Sequence, residues 1–219
     1  MTHALYWNTV DPLLTVCLRK LMKAEEFASF RLVGGTALSL QLGHRISVDI
    51  DLFTDAVYGS IDFDFIDNYL RNSFKYVDTS DNNVIGMGKP YFVGNSSEDS
   101  IKLDLFYTDP FIRPIVEIEE IRMASIEDII GMKVQVIANG GRKKDFWDLH
   151  ELMNDFSINT MIALHAERYP YEHNEKEIIA RFTNFSQADD DFEPRCQRGK
   201  HWEMIKLDFA DAMKPMQVL

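Results

Sequence analysis

The chain has only two cysteines, Cys17 and Cys196, far apart and in no metal-binding spacing. That pattern argues against a disulfide framework and predicts reduced thiols in a cytoplasmic protein. No apolar run reaches the roughly 18 residues that a membrane helix needs, so no membrane partner is expected. The first residues, MTHALYWNTVDPLL, lack the charged-then-apolar order of a signal peptide. There is no internal repeat and no low-complexity segment. Positive charge is scarce too: 23 Lys and Arg stand against 35 Asp and Glu, for a net charge of −12. A protein that grips nucleic acid along its length carries a basic face. Here only the stretches 142–144 and 195–200 offer a local one.

What is present supports a packed protein. Hydrophobic residues make up 46% and aromatics 12% of 219 residues, enough for an α/β domain with a smaller helical partner. Apolar spacing predicts a helix over 11–28, opened by Asp11-Pro12, which suits an N-cap and first turn. A strand over 30–33 leads to Gly34-Gly35, then a short helix over 36–42. Strict alternation predicts a strand over 48–53, with Val48, Ile50 and Leu52 on one face and Asp49, Asp51 and Phe53 on the other. A helix over 62–72 follows, then strands over 74–79, 84–88, 91–93 and 100–107, with a turn at 81–83. Ser125-x-x-Asp128 resembles a helix start. Helices are predicted over 125–138, 143–153, 160–167, 175–181 and 201–212. The order gives an α/β core over residues 1–120 and a helical region over 121–219.

Two features carry chemistry. Asp49 and Asp51 stand two apart on one strand, so their carboxylates point the same way. Asp104, in Ile101-Lys102-Leu103-Asp104-Leu105, projects likewise from another strand. If the two strands are neighbours, three carboxylates converge. Hard oxygen donors of this kind suit Mg²⁺ or Mn²⁺, and unfilled they would repel one another. Asp-x-Asp alone is also a solvated strand face in many proteins, and sugar-nucleotide glycosyltransferases use it as well. The second feature is Gly34-Gly35-Thr36 at a strand-to-helix junction. Glycine lets backbone approach a phosphate, and helix N-terminal amides favour anions. Thr36 adds a hydroxyl. Thirteen residues separate Gly35 from Asp49.

Val33-Gly34-Gly35-Thr36-Ala37-Leu38, followed by Arg45-Ile46-Ser47-Val48-Asp49-Ile50-Asp51-Leu52-Phe53, resembles the DNA polymerase β-type nucleotidyltransferase superfamily. Within it, the pattern is similar to the AbiEii/AbiGii toxin-like nucleotidyltransferases. Downstream, Lys133 and Lys144-Asp145-Phe146-Trp147-Asp148-Leu149 match that family's helical lysine and Arg-Asp-x-x-Asp-Leu motif. Lys144 replaces the motif's arginine, and Gly140 stands where a further arginine is expected, with Arg142 close by. The resemblance implies an α+β fold, with a polymerase-β-like mixed sheet flanked by helices and a helical C-terminal region. It implies transfer of a nucleoside monophosphate from an NTP, with Mg²⁺ (or Mn²⁺) at Asp49, Asp51 and Asp104. The acceptor would be a tRNA end or a protein hydroxyl, and a toxin–antitoxin pairing would add a cognate antitoxin.

On the same basis Gly34, Gly35, Thr36, Arg45, Ser47, Lys133, Asp145 and Asp148 are candidate nucleotide-binding residues, with Lys133 also a candidate catalytic residue. Several of these have plainer readings. Lys133, amid apolar neighbours, either enters a cleft or snorkels to solvent. Asp145 and Asp148 share a helix face and bind base or ribose, position Lys133 and Arg142, or are simply solvated. Arg45 contacts phosphate or pairs with an acid such as Asp49, and Lys102 forms an ion pair with Asp104. A nucleotide-binding regulatory protein without turnover is the alternative function.

Overall fold

The computed structural model describes residues 4–79 and 86–216. They form two compact units, one of residues 1–42 and 47–124 and one of residues 43–46 and 125–219, each named by its bounds in the chain. Among the described residues, the first unit carries a seven-stranded mixed sheet. The strands are β1 (Arg31–Leu32), β2 (Ile50–Thr54), β3 (Tyr76–Asp78), β4 (Gly88–Gly94), β5 (Ser100–Tyr107), β6 (Val116–Ile118) and β7 (Ile121–Met123). Their order is β3-β4-β5-β2-β1-β7-β6. β2 runs parallel to β5, and β1 to β7, while the other pairs are antiparallel. This is the mixed sheet that the family pattern implies.

Alternation sorts the two sheet faces. Ile50, Leu52, Leu103 and Leu105 are fully buried, while Asp51, Phe53, Lys102, Asp104 and Phe106 are only half-buried. Helix α1 (Pro12–Lys23) packs on β4, β5 and β7, and α3 (Phe63–Ser73) on β3. Asp11 caps α1 by accepting from Leu13 N at 2.7 Å. The helix ends earlier than its apolar spacing predicts because Ala24 is extended and a 3₁₀ turn, Glu25–Phe27, follows. Arg122 holds this break by donating to the carbonyls of Met22 and Phe27 at 2.7 and 2.9 Å.

Three strand readings need correction. The alternation places a strand over 48–53, but β2 begins at Ile50, so Val48 escapes the core and is 58% exposed. The break predicted between strands 84–88 and 91–93 is not there: one strand, β4, runs from Gly88 through Pro90 to Gly94, and residues 84 and 85 lie outside the described residues. Proline fits because β3 pairs only with Phe92, Val93 and Gly94, so no ladder bond is needed at its nitrogen on that side. Residues 81–85, with the predicted turn, lie outside the described residues. The hairpin β6–β7 has no turn signal in the sequence, because its corner is Glu119-Glu120 with φ of 51° and 66°, a region that usually takes Gly or Asn.

Glu119 explains the strained corner. Its carboxylate accepts from Leu5 N at 3.0 Å, Trp7 Nε1 at 2.9 Å and Arg19 Nη2 at 3.0 Å. The hairpin is thereby tied to the N-terminal segment and to α1.

The second unit is helical. Its helices are α4 (Ile126–Ala138), α5 (Lys143–Leu152), α6 (Ile158–Arg168), α7 (Glu175–Arg181) and α8 (Trp202–Met213); α5, α6 and α7 pack on α4, and α8 packs on α5, where Phe146 meets the rings of Phe185, Trp202 and Phe209 at 5.1–6.0 Å. Ser125 caps α4 as its sequence predicts, accepting from Asp128 N at 3.0 Å. Asp128 in turn holds Arg168 at 2.9 Å, both side chains being fully buried.

Glu119→Ala should lower stability by about 1–2 kcal/mol, allowing for partial exposure of the bonds it removes. The donors Trp7, Leu5 and, behind them, Arg19 hold the Glu119 pKa below the usual glutamate value. Its contribution is therefore present above that value and lost as pH falls through the folded-state pKa. Denaturant melts of the wild type and of Glu119→Gln should separate at neutral pH and converge in acid. Curves that stay equally spaced across the pH range would remove this account.

Candidate functional site

In the first unit the register of β2 and β5 pairs Asp51 directly with Asp104, and Phe53 with Phe106. A parallel ladder puts paired residues on one face, so the two carboxylates stand side by side. One step along the strands the rings of Phe53 and Phe106 meet edge to face at 6.0 Å. Asp49 lies just before β2, so its side chain is not positioned by the ladder. Its carbonyl instead accepts from Thr36 Oγ1, and Ser47 Oγ lies 2.8 Å from the same hydroxyl oxygen. Thr36 and Ser47 are buried. They fasten the segment that enters β2 to the first turn of α2 (Gly34–Leu42), so neither hydroxyl is displayed on the surface.

Gly34 has φ of 67°, and a Cβ there would lie 2.7 Å from Asp51 Oδ2. Only glycine lets the chain turn into α2 this close to the carboxylate. The glycine pair does not precede the helix, as the sequence suggests, but forms its first two residues. Amides of a first helical turn lack intrahelical partners by construction, which suits an anion.

Asp104 Oδ2 accepts from Lys102 Nζ, the ion pair expected from their shared face. Asp104 Oδ1 is buried with no hydrogen-bond partner. Burial works against the Lys102 ammonium, yet the bond to Asp104 and the charges of Asp104, Asp49 and Asp51 hold its pKa above the ordinary lysine value. A cation is thus already drawn to these acids. Among the described residues, however, no three Asp, Glu, His or Cys side chains are gathered closely enough to hold a metal ion as they stand.

The second unit gathers the other candidates. Lys133 is buried rather than snorkelling, and its Nζ meets Asp145 Oδ1 at 2.6 Å and Asp148 Oδ2 at 2.8 Å. Arg45 has a strong partner of its own here. It belongs to this unit and grips Asp148 through Nε at 2.6 Å and Nη2 at 2.8 Å. His44 Nε2 reaches the same carboxylate at 2.8 Å. The segment is held by backbone bonds, Ile46 N to Arg195 O at 2.9 Å and Gln197 N to His44 O at 2.8 Å. His44 and the 195–197 segment are the members that sequence reasoning misses, since a lone histidine and a distant loop show no spacing.

Burial alone would raise the carboxyl pKa of Asp148, but Arg45, Lys133 and His44 hold it well below the usual aspartate value. Asp145 is lowered against its own burial, chiefly by Lys133. Burial opposes the Lys133 charge, and Asp145 and Asp148 overcome it and raise its pKa. As they stand, Asp145 and Asp148 position cations rather than face solvent. Gly140, where an arginine is expected, has φ of 119°, and a Cβ there would lie 2.1 Å from Gln187 Oε1. Any side chain is strained at this φ, so an arginine here would ask the backbone to change. Arg142 heads α5 instead, its side chain 62% exposed and 3.7 Å from Asp145.

A family model for the nucleotidyl transferase AbiEii toxin, type IV TA system, matches residues 16–217. The chain belongs to this family. An uncharacterized Aquifex aeolicus protein is 28% identical over 199 residues, which is 84% of this chain and 86% of that one. Solved structures similar to the AbiEii-family chain include MenT4, a nucleotidyltransferase toxin of Mycobacterium tuberculosis, at a TM-score of 0.56 and 14% identity over 92% of this chain and 83% of that one. JHP933 of Helicobacter pylori aligns at a TM-score of 0.54 and 17% identity over 91% and 90% of the two chains. At these identities the likeness is one of fold. Among the described residues no helix is long and apolar enough to cross a membrane.

Asp148→Asn should cost about 3–5 kcal/mol, because Arg45 and Lys133 would keep buried charge with half their compensation gone. The depressed carboxyls make this stability present above the usual aspartate range and lost as pH falls through their folded-state values. Arg142→Ala, at an exposed position, should shift the melting midpoint by little. Equal effects of the two substitutions in a urea melt would contradict the network.

Proposed function

We propose that this AbiEii-family protein moves a nucleoside monophosphate from an NTP to an acceptor hydroxyl with Mg²⁺ (or Mn²⁺) held by Asp49, Asp51 and Asp104. The observation that carries the reading is the parallel register placing Asp51 against Asp104, beside a helix start opened by Gly34. The donor set fits a hard cation. It is all oxygen, it includes a buried carboxylate oxygen with no partner, and a lysine ammonium is already attracted to it.

In this reading the amides of Gly35 and Thr36 bind the triphosphate, with the start of α2 favouring its negative charge. Thr36 and Ser47 act indirectly, fixing the Asp49 segment. The chemistry a bound divalent ion supplies is neutralisation of charge on the α-phosphate and on the departing pyrophosphate. Asp104 assists removal of the acceptor proton. The acceptor oxygen then bonds to the α-phosphorus, the bond to the bridging oxygen breaks, and the electron pair leaves with pyrophosphate. In the helical unit, Arg45 and Lys133 are the cations proposed to serve nucleotide phosphate, with Asp145 and Asp148 orienting them. The acceptor is a tRNA end or a protein hydroxyl, and an antitoxin is the expected partner of a toxin of this family.

One observation favours a second reading. The arginine expected at position 140 is replaced by Gly140. A nucleotide-binding regulator would show NTP-dependent thermal stabilisation with no turnover.

Labelled NTPs incubated with Mg²⁺ and either total tRNA or a protein extract should yield labelled acceptor and free pyrophosphate. Asp49→Ala and Asp51→Asn should lower the rate by about 100-fold or more with little change in melting temperature. Transfer by Asp49→Ala at the wild-type rate would end the catalytic proposal. Stabilisation by NTP without pyrophosphate, across both acceptor pools, would leave the regulatory reading.

A further inference from the structure

Lys102 stands on the open sheet face, two residues from Asp104 on β5 and opposite Phe92 on β4. Its ammonium donates to Asp104 Oδ2. It also feels the charges of Asp49 and Asp51. The bond is not locked by burial, since the Lys102 side chain is 42% exposed. A surface ion pair between neighbours on one strand is ordinary and worth little. This one differs because three acids share the same cation. A lysine in that position relieves their repulsion and uses one oxygen of a proposed metal ligand.

A divalent ion and an ammonium cannot both occupy the neighbourhood of Asp104 without repelling each other. Lys102 has the exposed, flexible stem needed to leave. We propose that Lys102 is the internal counter-ion of this carboxylate set, displaced when a divalent cation binds, so that the lysine weakens the site for free metal. The inference rests on the metal-site reading above. In physical terms the exchange swaps one positive charge for two among the same three carboxylates, and the lysine charge is the part that opposes entry. Freed of Asp104, the ammonium is then available to phosphate oxygens arriving with a nucleotide.

The test is a Mn²⁺ titration of the full chain without nucleotide, with free Mn²⁺ followed by electron paramagnetic resonance. Removing one nearby positive charge should tighten binding by at least about fivefold in Lys102→Met. Lys102→Arg should stay near the wild type. Lys102→Gln serves as a second charge-free variant should the methionine protein fail to fold. If the wild type binds Mn²⁺ and the charge-free variants bind equally or more weakly, the lysine is a structural partner of Asp104 and this inference is overturned, while the metal site stands. If no variant shows saturable Mn²⁺ binding, with or without an NTP analogue, the metal-site reading fails and takes this inference with it.

Discussion

Parallel pairing of β2 with β5 forces two like charges, Asp51 and Asp104, into directly opposed positions. Such a pair opposes sheet formation by a few tenths to about 1 kcal/mol. On the same face the edge-to-face contact of Phe53 with Phe106 offsets part of that cost. The other face contributes as well, where Ile50, Leu52, Leu103 and Leu105 are fully buried, at about 25 cal/mol per Å² of apolar surface removed from water. The register cannot slip by one residue to separate the acids, because that would turn these four side chains out of the core. The carboxylates are therefore held together by hydrophobic residues that never touch them. Lys102 and the close approach of Gly34 then determine what surrounds the pair.

The helical unit treats charge differently. Asp128, Asp145 and Asp148 are buried, and each is matched by cations at hydrogen-bond distance: Asp128 with Arg168, Asp145 with Lys133, and Asp148 with Arg45 and Lys133. Ion pairs of this kind add little net stability over an apolar core of the same shape, but breaking one is expensive. Their effect here is to fix position. Arg45 is four residues from Asp49 in sequence, yet its guanidinium belongs to a network built from α4 and α5. A two-pronged grip on Asp148, with backbone bonds to residues 195–197, accounts for that allegiance. Lysine at position 45 would keep the charge but lose the fork.

Strands β1, β2, β3 and β5 and most helices are legible in the sequence because local rules agree there with the tertiary outcome. Alternation in β5 and the Ser125 cap of α4 needed no long-range information. The family pattern was legible in 34–53, where glycines, hydroxyls and acids recur at fixed spacing. What escaped reading was set by distant partners. The β6–β7 corner has glutamates at positive φ because Glu119 collects three donors from the N-terminal segment and α1. β4 passes through Pro90 because its neighbour β3 is short. Lys133 looked amphipathic, and only Asp145 and Asp148 decide that its ammonium stays buried. For Arg45 the sequence offers phosphate or a nearby acid such as Asp49, and gives no sign of Asp148, 103 residues away, which its guanidinium grips.

A strongly acidic chain proposed to handle a polyanion must supply cations locally, and among the described residues the candidates named above are already engaged. Lys102 is bonded to Asp104, Arg45 to Asp148, and Lys133 to Asp145 and Asp148. Serving phosphate would mean exchanging a carboxylate partner for a phosphate one. The exchange is least costly where the side chain is exposed, since water compensates both states, and most costly where burial makes a vacated carboxylate pay its full desolvation. On that ground Lys102 and Arg142 are the least costly to release, and Arg45 and Lys133 the most costly. Gly140 sharpens the point. Its positive φ disfavours any side chain there, and the exposed basic group at the start of α5 is Arg142, whose contact with Asp145 is the longest in the network.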